Sequence, residues 1–398
     1  MEFKRLLVKG GRLFLSLVFI GVISGQASAF FLISLDSITA FRESNSYLIF
    51  FLPLAGLVLG YFYFYRARGL EDGMGLLHKA NQGLQPVISV LLAPIILFAT
   101  LFTHAFGGSA GREGTAIQMG VAFSEKVGSM FKMEPQFRRL LLASGAAAGF
   151  ASLFGTPWAA TFFAWETLRL SSKDLLFIPA LALSAHVGTA ACDIWPVQHL
   201  DLHINLPDNA PVSVLWVALF ALIFSWVGVG YKLLHKKIHA FFESHISYPP
   251  YRPLMGGTLL MLLIWGGAWE DYAGLGLHMI YASFDAVALP PSFVIKLVLT
   301  ALTLGAGFKG GEVTPLFFIG ATLGSALSAW VPVSYDLLAG MGLIGVFSAV
   351  THTPLACTLM GMELFGPHVA PYAAVSCFVS FAVARKVQSF LINRSAAV

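Results

Sequence analysis

Charge is scarce in this chain: of its 398 residues only 11% are Asp, Glu, Lys or Arg. A soluble fold covers its outside with charge, so this shortage, with a mean hydropathy of +0.77, excludes an ordinary globular protein. Cysteine is scarcer still. Cys192, Cys357 and Cys377 stand apart, two of them in apolar runs, which excludes a disulfide framework or a cysteine metal cluster and leaves them as packing residues. A zinc helix is missing too, because His235 and His239 lack the glutamate of H-E-x-x-H and sit beside Lys236 and Lys237. No metal or cofactor is expected. The net charge of +4 reports loop orientation in a membrane protein, so no nucleic-acid partner is read from it.

Long apolar runs take the place of what is absent. Leu13 to Ser34, Tyr47 to Tyr65 and Val87 to Phe106 carry almost no charge, and each is long enough for ~30 Å of hydrocarbon. They predict an all-α, polytopic membrane protein whose solvent is lipid. The first run resembles a secretory signal, since Lys4, Arg5, Lys9 and Arg12 precede it and Ala27-Ser28-Ala29 closes it. Its length, and the many apolar runs that follow, predict a retained first helix instead. Those basic residues put the N-terminus in the cytoplasm. Arg385, Lys386 and Arg394 put the C-terminus there too, with Lys236 and Lys237 agreeing, so the crossings are even in number. The plasma membrane is the expected compartment.

The chain repeats itself. Gly145 to Leu168 aligns without a gap on Gly342 to Phe365, with Gly145, Thr156-Pro157, Ala159 and Glu166 matching Gly342, Thr353-Pro354, Ala356 and Glu363. A glycine-rich acidic segment precedes each: Gly111-Arg112-Glu113-Gly114-Thr115, and Gly311-Glu312-Val313-Thr314-Pro315. Glu113 lies 53 residues before Glu166 and Glu312 lies 51 before Glu363, which pairs Glu113 with Glu312. Two membrane repeats, 1–206 and 207–398, are expected, joined through the polar stretch Asp201 to Asn209. Such repeats build a substrate site from interrupted helices near the bilayer midplane. Gly107-Gly108, Gly111, Gly114, Gly305, Gly307 and Gly310-Gly311 supply the interruptions, while Pro157, Pro315 and Pro354 fit first-turn positions of the helices that resume.

A helix N-terminus in a low-dielectric region offers unpaired N–H donors and a positive dipole end, so it binds an anion without any basic side chain. A carboxylate placed there competes for the same donors until protonation releases it, which gives an anion and a proton one control point. Glu113, between Gly111 and Gly114, suits that task; its other reading is a glutamate paired with Arg112 at the membrane interface, and Arg112 argues against deep burial. Glu312 is either a second site carboxylate or a cap on the helix beginning near Pro315. Thr115 and Thr314 either donate hydroxyls to an anion or cap helices. Glu166 and Glu363, at matched helix ends, read as structural.

These motifs resemble the CLC family of chloride channels and anion/proton antiporters over nearly the whole chain. Gly108 to Gly114 is similar to the family's GREGP segment, Ala143 to Gly149 to its GAAAG helix, and Gly310 to Pro315 to its GGxFxP motif. The resemblance implies inverted repeats, a homodimer with one anion pathway per subunit, and Glu113 as the external gating glutamate. Departures from the chloride pattern resemble the fluoride/proton antiporter branch. Met74, in Glu71-Asp72-Gly73-Met74-Gly75, stands where chloride members carry the serine of GSGIP; Thr115 turns GREGP into GREGT; Glu312 and Thr314 turn GGxFxP into GGEVTP. The branch associates the methionine, the gating glutamate and the central glutamate with its threonine neighbour with fluoride and proton movement. The internal proton glutamate of chloride/proton antiporters falls at Thr167, so Glu312 is expected to replace it. Phe390 is the counterpart considered for the family's C-terminal pore tyrosine.

The expected partners are thus fluoride and protons, with membrane lipid around the chain. Glu113 and Glu312 are the expected gating and proton groups. Met74, Gly111, Arg112, Gly114, Thr115, Gly311, Val313 and Thr314 are the expected anion-site residues. A chloride-type channel or chloride/proton antiporter is the nearest alternative. A remote one is an intramembrane serine hydrolase, because Gly107-Gly108-Ser109-Ala110-Gly111 matches G-x-S-x-G, a motif that needs a positioned base.

Overall fold

The computed structural model describes residues 2–70, 75, 79, 87–170, 172–205 and 210–396; Met74 and the expected repeat boundary at 206–209 lie outside the described residues. Fifteen α-helices lie among the described residues: α1 (Glu2–Glu43), α2 (Leu52–Arg66), α3 (Leu92–Ala105), α4 (Glu113–Met130), α5 (Arg138–Phe154), α6 (Pro157–Thr167), α7 (Ile178–Cys192), α8 (Ala210–His245), α9 (Tyr251–Gly267), α10 (Leu277–Asp285), α11 (Ser292–Gly305), α12 (Val313–Leu327), α13 (Tyr335–Thr351), α14 (Pro354–Phe365) and α15 (Ala370–Ala396). Among the described residues the only β pairing outside named strands is a single bridge between Gly111 and Gly311.

Among the described residues, six segments are long and apolar enough to cross a membrane: Gly10–Glu43, Ser46–Arg66, Asp174–Cys192, Pro211–His245, Val313–Trp330 and Pro367–Leu391. Their outer faces carry large apolar side chains such as Phe30, Leu176 and Trp226, 62%, 86% and 60% exposed, as a bilayer-spanning helix would. The run Val87 to Phe106 differs from expectation. It yields only the 14 residues of α3, about 21 Å and short of a full crossing, because Gly107 takes a left-handed conformation (φ 86°) and stops the helix.

The helices pack as two units that are not contiguous in sequence. The first comprises Met1–Ser37, Ala67–Leu101 and Glu113–Leu200; the second comprises Ile38–Arg66, Phe102–Arg112 and Asp201–Val398. In the first, α1 is part of the core: Leu17 and Ile20 pack with Val127, Leu141 and Ala148, and Ser184 and Gln26 donate hydrogen bonds to Leu17 O (3.0 Å) and Ala191 O (2.8 Å). The apolar run that resembles a signal core is therefore a working part of the fold. In the second, α8 packs against α11, α13 and α15, with Ser225 donating to Ala221 O and Ser380 O.

Each unit contains the same tight helix pair. In the first, α4 crosses α5 where a Cβ on Gly120 would run into the carbonyl of Gly145, and one on Gly145 into that of Gly120. In the second, α12 crosses α13 in the same reciprocal way at Gly320 and Gly342. Lipid supplies no hydrophobic drive between helices, so backbone approach of this kind is what holds them. After each pair comes the same joint. Gly155 (φ 71°) ends α5 before Thr156 and Pro157 open α6, and His352 (φ 60°) ends α13 before Thr353 and Pro354 open α14. Pro157 and Pro354 sit at the start of their helices and Pro315 in the first turn of α12, as expected for residues with no N–H to lose.

Candidate functional site: a glycine bridge between interrupted helices

The glycine-rich segments are two copies of one turn. The helix α3 ends with Gly107 N–H bonded to His104 O (3.1 Å) and Gly108 N–H to Thr103 O (2.9 Å). The helix α11 ends with Gly307 N–H bonded to Leu304 O (3.1 Å) and Phe308 N–H to Thr303 O (3.2 Å). Both are Schellman closures around a left-handed glycine, Gly107 at φ 86° and Gly307 at φ 103°. Each is followed by a short extended run, and these meet: Gly111 N–H donates to Gly311 O at 2.6 Å and Gly311 N–H to Gly111 O at 2.7 Å. A Cβ on Gly310 would lie 2.6 Å from that of Ala110, so bare backbone is required. Ser109 braces the turn, its N–H bonded to Thr303 Oγ1 (3.1 Å) and its hydroxyl to Thr300 Oγ1 (3.0 Å), while His104 Nε2 donates to Ala110 O (3.0 Å). Ser109 is thus tied to a threonine hydroxyl rather than an imidazole, which removes the hydrolase reading.

Two residues beyond Gly111, Glu113 opens α4 with no solvent exposure. Arg112 is 2% exposed, which corrects the expectation that it argues against deep burial: its stem and guanidinium go inward with the bridge. Thr115 is fully buried, its hydroxyl 2.6 Å from that of Thr100, and Gly114 is half-buried. In the second unit Gly311, Val313 and Thr314 are buried. The bridge also corrects the pairing of the acids. With Gly111 equivalent to Gly311 and the helices beginning at 113 and 313, Glu113 corresponds to Val313 and Glu312 to Arg112. Counting back from Glu166 and Glu363 hides this one-step offset, because the connections between the helices differ in length.

Glu312 is the N-cap of α12, yet its side chain makes no capping bond. It accepts a hydrogen bond from the hydroxyl of Tyr231 (3.2 Å), a fully buried residue of α8. The simple cap reading therefore fails for Glu312, which stands at a buried helix end. Lys232 and His235, also on α8, lie within electrostatic reach of the same carboxylate, and Lys232 Nζ donates to Val350 O (2.8 Å). Motif reading missed these residues because Tyr231 stands 81 positions before Glu312 and carries no motif. It also missed Lys296, wholly buried in α11, whose ammonium donates to Tyr272 O (3.0 Å) and Gly274 O (2.7 Å) and lies 5.1 Å from the centre of the Phe318 ring. Phe390 is 64% exposed on α15, which is not the burial of a pore-lining ring. Glu166 and Glu363 are half-buried at the ends of α6 and α14.

Interrupted helices with acids at their resumed N-termini, in a chain with six lipid-length spans among the described residues, define a multi-pass ion-transport protein. The chain belongs to the CLC family: the family model for voltage gated chloride channels matches residues 66–385. It is 38% identical over 377 residues to a chloride/fluoride channel protein of Pseudomonas syringae pv. tomato, covering 92% of this chain and 82% of that one. It is 26% identical over 379 residues to the H(+)/Cl(-) exchange transporter ClcA of Vibrio vulnificus, covering 87% and 80%. The structure is similar to the crystal structure of a CLC-type fluoride/proton antiporter, with a TM-score of 0.90, 33% identity and 94% and 95% of the two chains covered. A slow cyanobacterial Cl-/H+ antiporter matches with a TM-score of 0.82 at 19% identity, covering 97% and 98%, a likeness of fold.

Proposed function

We propose that this protein is a fluoride/proton antiporter that expels fluoride from the cytoplasm in exchange for protons, with Glu113 as its gating glutamate. The observation that carries the reading is a carboxylate without solvent exposure in the first turn of a helix that resumes after a glycine-rich interruption. Ionised, it competes with an anion for the helix N–H groups; protonated, it loses its claim on them and can move. The likeness to a CLC-type fluoride/proton antiporter supports fluoride as the anion. So does the chemistry of the opening turn of α12. Fluoride is small and strongly hydrated, and it leaves water only for well-aimed donors such as the N–H groups of Val313 and Thr314 and the Thr314 hydroxyl. Glu312 takes part in the inward half of the exchange. Arg112, Gly111, Gly114, Thr115 and Gly311 complete the anion path, and Met74 is assigned to it from the motif alone.

The protein works in the plasma membrane as a homodimer of two-repeat subunits, 1–206 and 207–398, with both termini in the cytoplasm. Hydrogen fluoride crosses membranes as the neutral acid and ionises in a near-neutral cytoplasm, so inward proton flow expels what accumulates. The test is efflux from proteoliposomes, read with fluoride and chloride electrodes and a pH probe. Fluoride efflux far above chloride, with proton uptake, is the expected result. Chloride efflux equal to fluoride efflux would return the protein to the chloride-transporting relatives it also matches.

A further inference from the structure

The helix α8 carries a row of titratable groups that the exchange reading does not use. Tyr231, His235 and His239 recur every four residues and so share one face, with about 6 Å between successive Cβ atoms. Exposure rises along the row: Tyr231 is fully buried, His235 half-buried and His239 exposed. The buried end holds the Glu312 carboxylate through the Tyr231 hydroxyl (3.2 Å). The rings of Tyr231 and His235 stack with centroids 6.1 Å apart, and both Glu312 and His239 act electrostatically on His235. At the exposed end His239 Nδ1 lies 3.3 Å from Gly305 O, an acceptor only, so that nitrogen carries the hydrogen and Nε2 is the basic one. The row ends among Lys236 and Lys237, both exposed, while Lys232 is turned to Val350 O. The segment Pro211–His245 has 35 residues, roughly 52 Å as a helix, so its last turns project beyond ~30 Å of hydrocarbon.

We infer that His235 and His239 form a proton pathway between Glu312 and the solution at the basic end of α8. Tyr231 holds the carboxylate in register through its hydroxyl. A proton is taken up at Nε2 of His239 and passes through intervening water to His235. The His235 imidazolium then protonates the Glu312 carboxylate. Both imidazoles end neutral, and the net change is one proton gained by Glu312. This inference rests on the reading that Glu312 exchanges a proton during transport. Lysine could not serve in place of these residues, because only imidazole gives and takes a proton readily near neutral pH.

The test reads fluoride efflux and proton uptake together in proteoliposomes of the full-length protein in weak buffer. His235→Phe keeps a ring of similar size, and fluoride-driven proton uptake is expected to fall about tenfold or more. Imidazole added to the medium is expected to restore most of it, a rescue that a merely structural role would not permit. His239→Gln, an exposed change with little risk to folding, is expected to slow uptake about threefold in weak buffer and not in strong buffer. Proton uptake unchanged in both variants, or a loss in His235→Phe that imidazole leaves untouched, overturns the pathway while leaving the antiporter reading standing. Wild-type protein without fluoride-driven proton uptake overturns both.

Discussion

Glu113 has no solvent exposure and lies in the first turn of α4, the positive end of the helix dipole. Glu113→Gln keeps size and hydrogen-bonding capacity and removes the titration, so fluoride-driven proton uptake should fall by about a hundredfold or more while some fluoride leak persists; coupled uptake left intact would dismiss Glu113 as the gate. Tyr231→Phe removes the one hydroxyl seen on Glu312 and should weaken coupling less than Glu312→Gln does, with the ratio of protons to fluoride as the readout. Lys296→Met strips the donor from the carbonyls of Tyr272 and Gly274, which should cost about 1–3 kcal/mol and lower the thermal unfolding midpoint in detergent. The two acids were legible in the sequence because membrane-embedded carboxylates among glycines are rare and costly. Tyr231 and Lys296 were not, since their partners come from distant parts of the chain.

At the scale of elements, the repeat is carried by contacts as much as by letters. The crossings at Gly120 and Gly145 and at Gly320 and Gly342 leave no room for a Cβ on either side. Gly320→Leu should therefore destabilise by about 1–3 kcal/mol or more, seen as loss of a single symmetric peak in size-exclusion chromatography and a lower melting point. Gly230 on α8 meets nothing within 4 Å, so Gly230→Ala is expected to stabilise by up to about 1 kcal/mol in the same assay. The Schellman ends at Gly107 and Gly307 could be anticipated from glycine placement, and the Thr-Pro starts of α6 and α14 from proline. The register of the bridge could not. It is fixed by two backbone hydrogen bonds between Gly111 and Gly311, and backbone groups leave no mark in residue type.

At the scale of the whole molecule, the exposed apolar side chains and the six long spans among the described residues are those of a multi-pass membrane protein. Expressed in a bacterium stripped of its own fluoride exporters, the chain should restore growth on fluoride, and the Glu113→Gln form should not. Growth restored equally by both would count against coupled export.

Composition and glycine-proline punctuation were enough to establish a helical membrane protein, its repeat and the segments that bear its acids, because these follow from the cost of exposing apolar surface and of burying charge. Folding was needed for three further things: the pairing of Gly111 with Gly311, the one-step offset between Glu113 and Glu312, and the turning of Glu312 from its own helix end towards Tyr231. Each depends on which distant residues arrive at the same point, and that depends on how the helices pack and not on any one segment's composition.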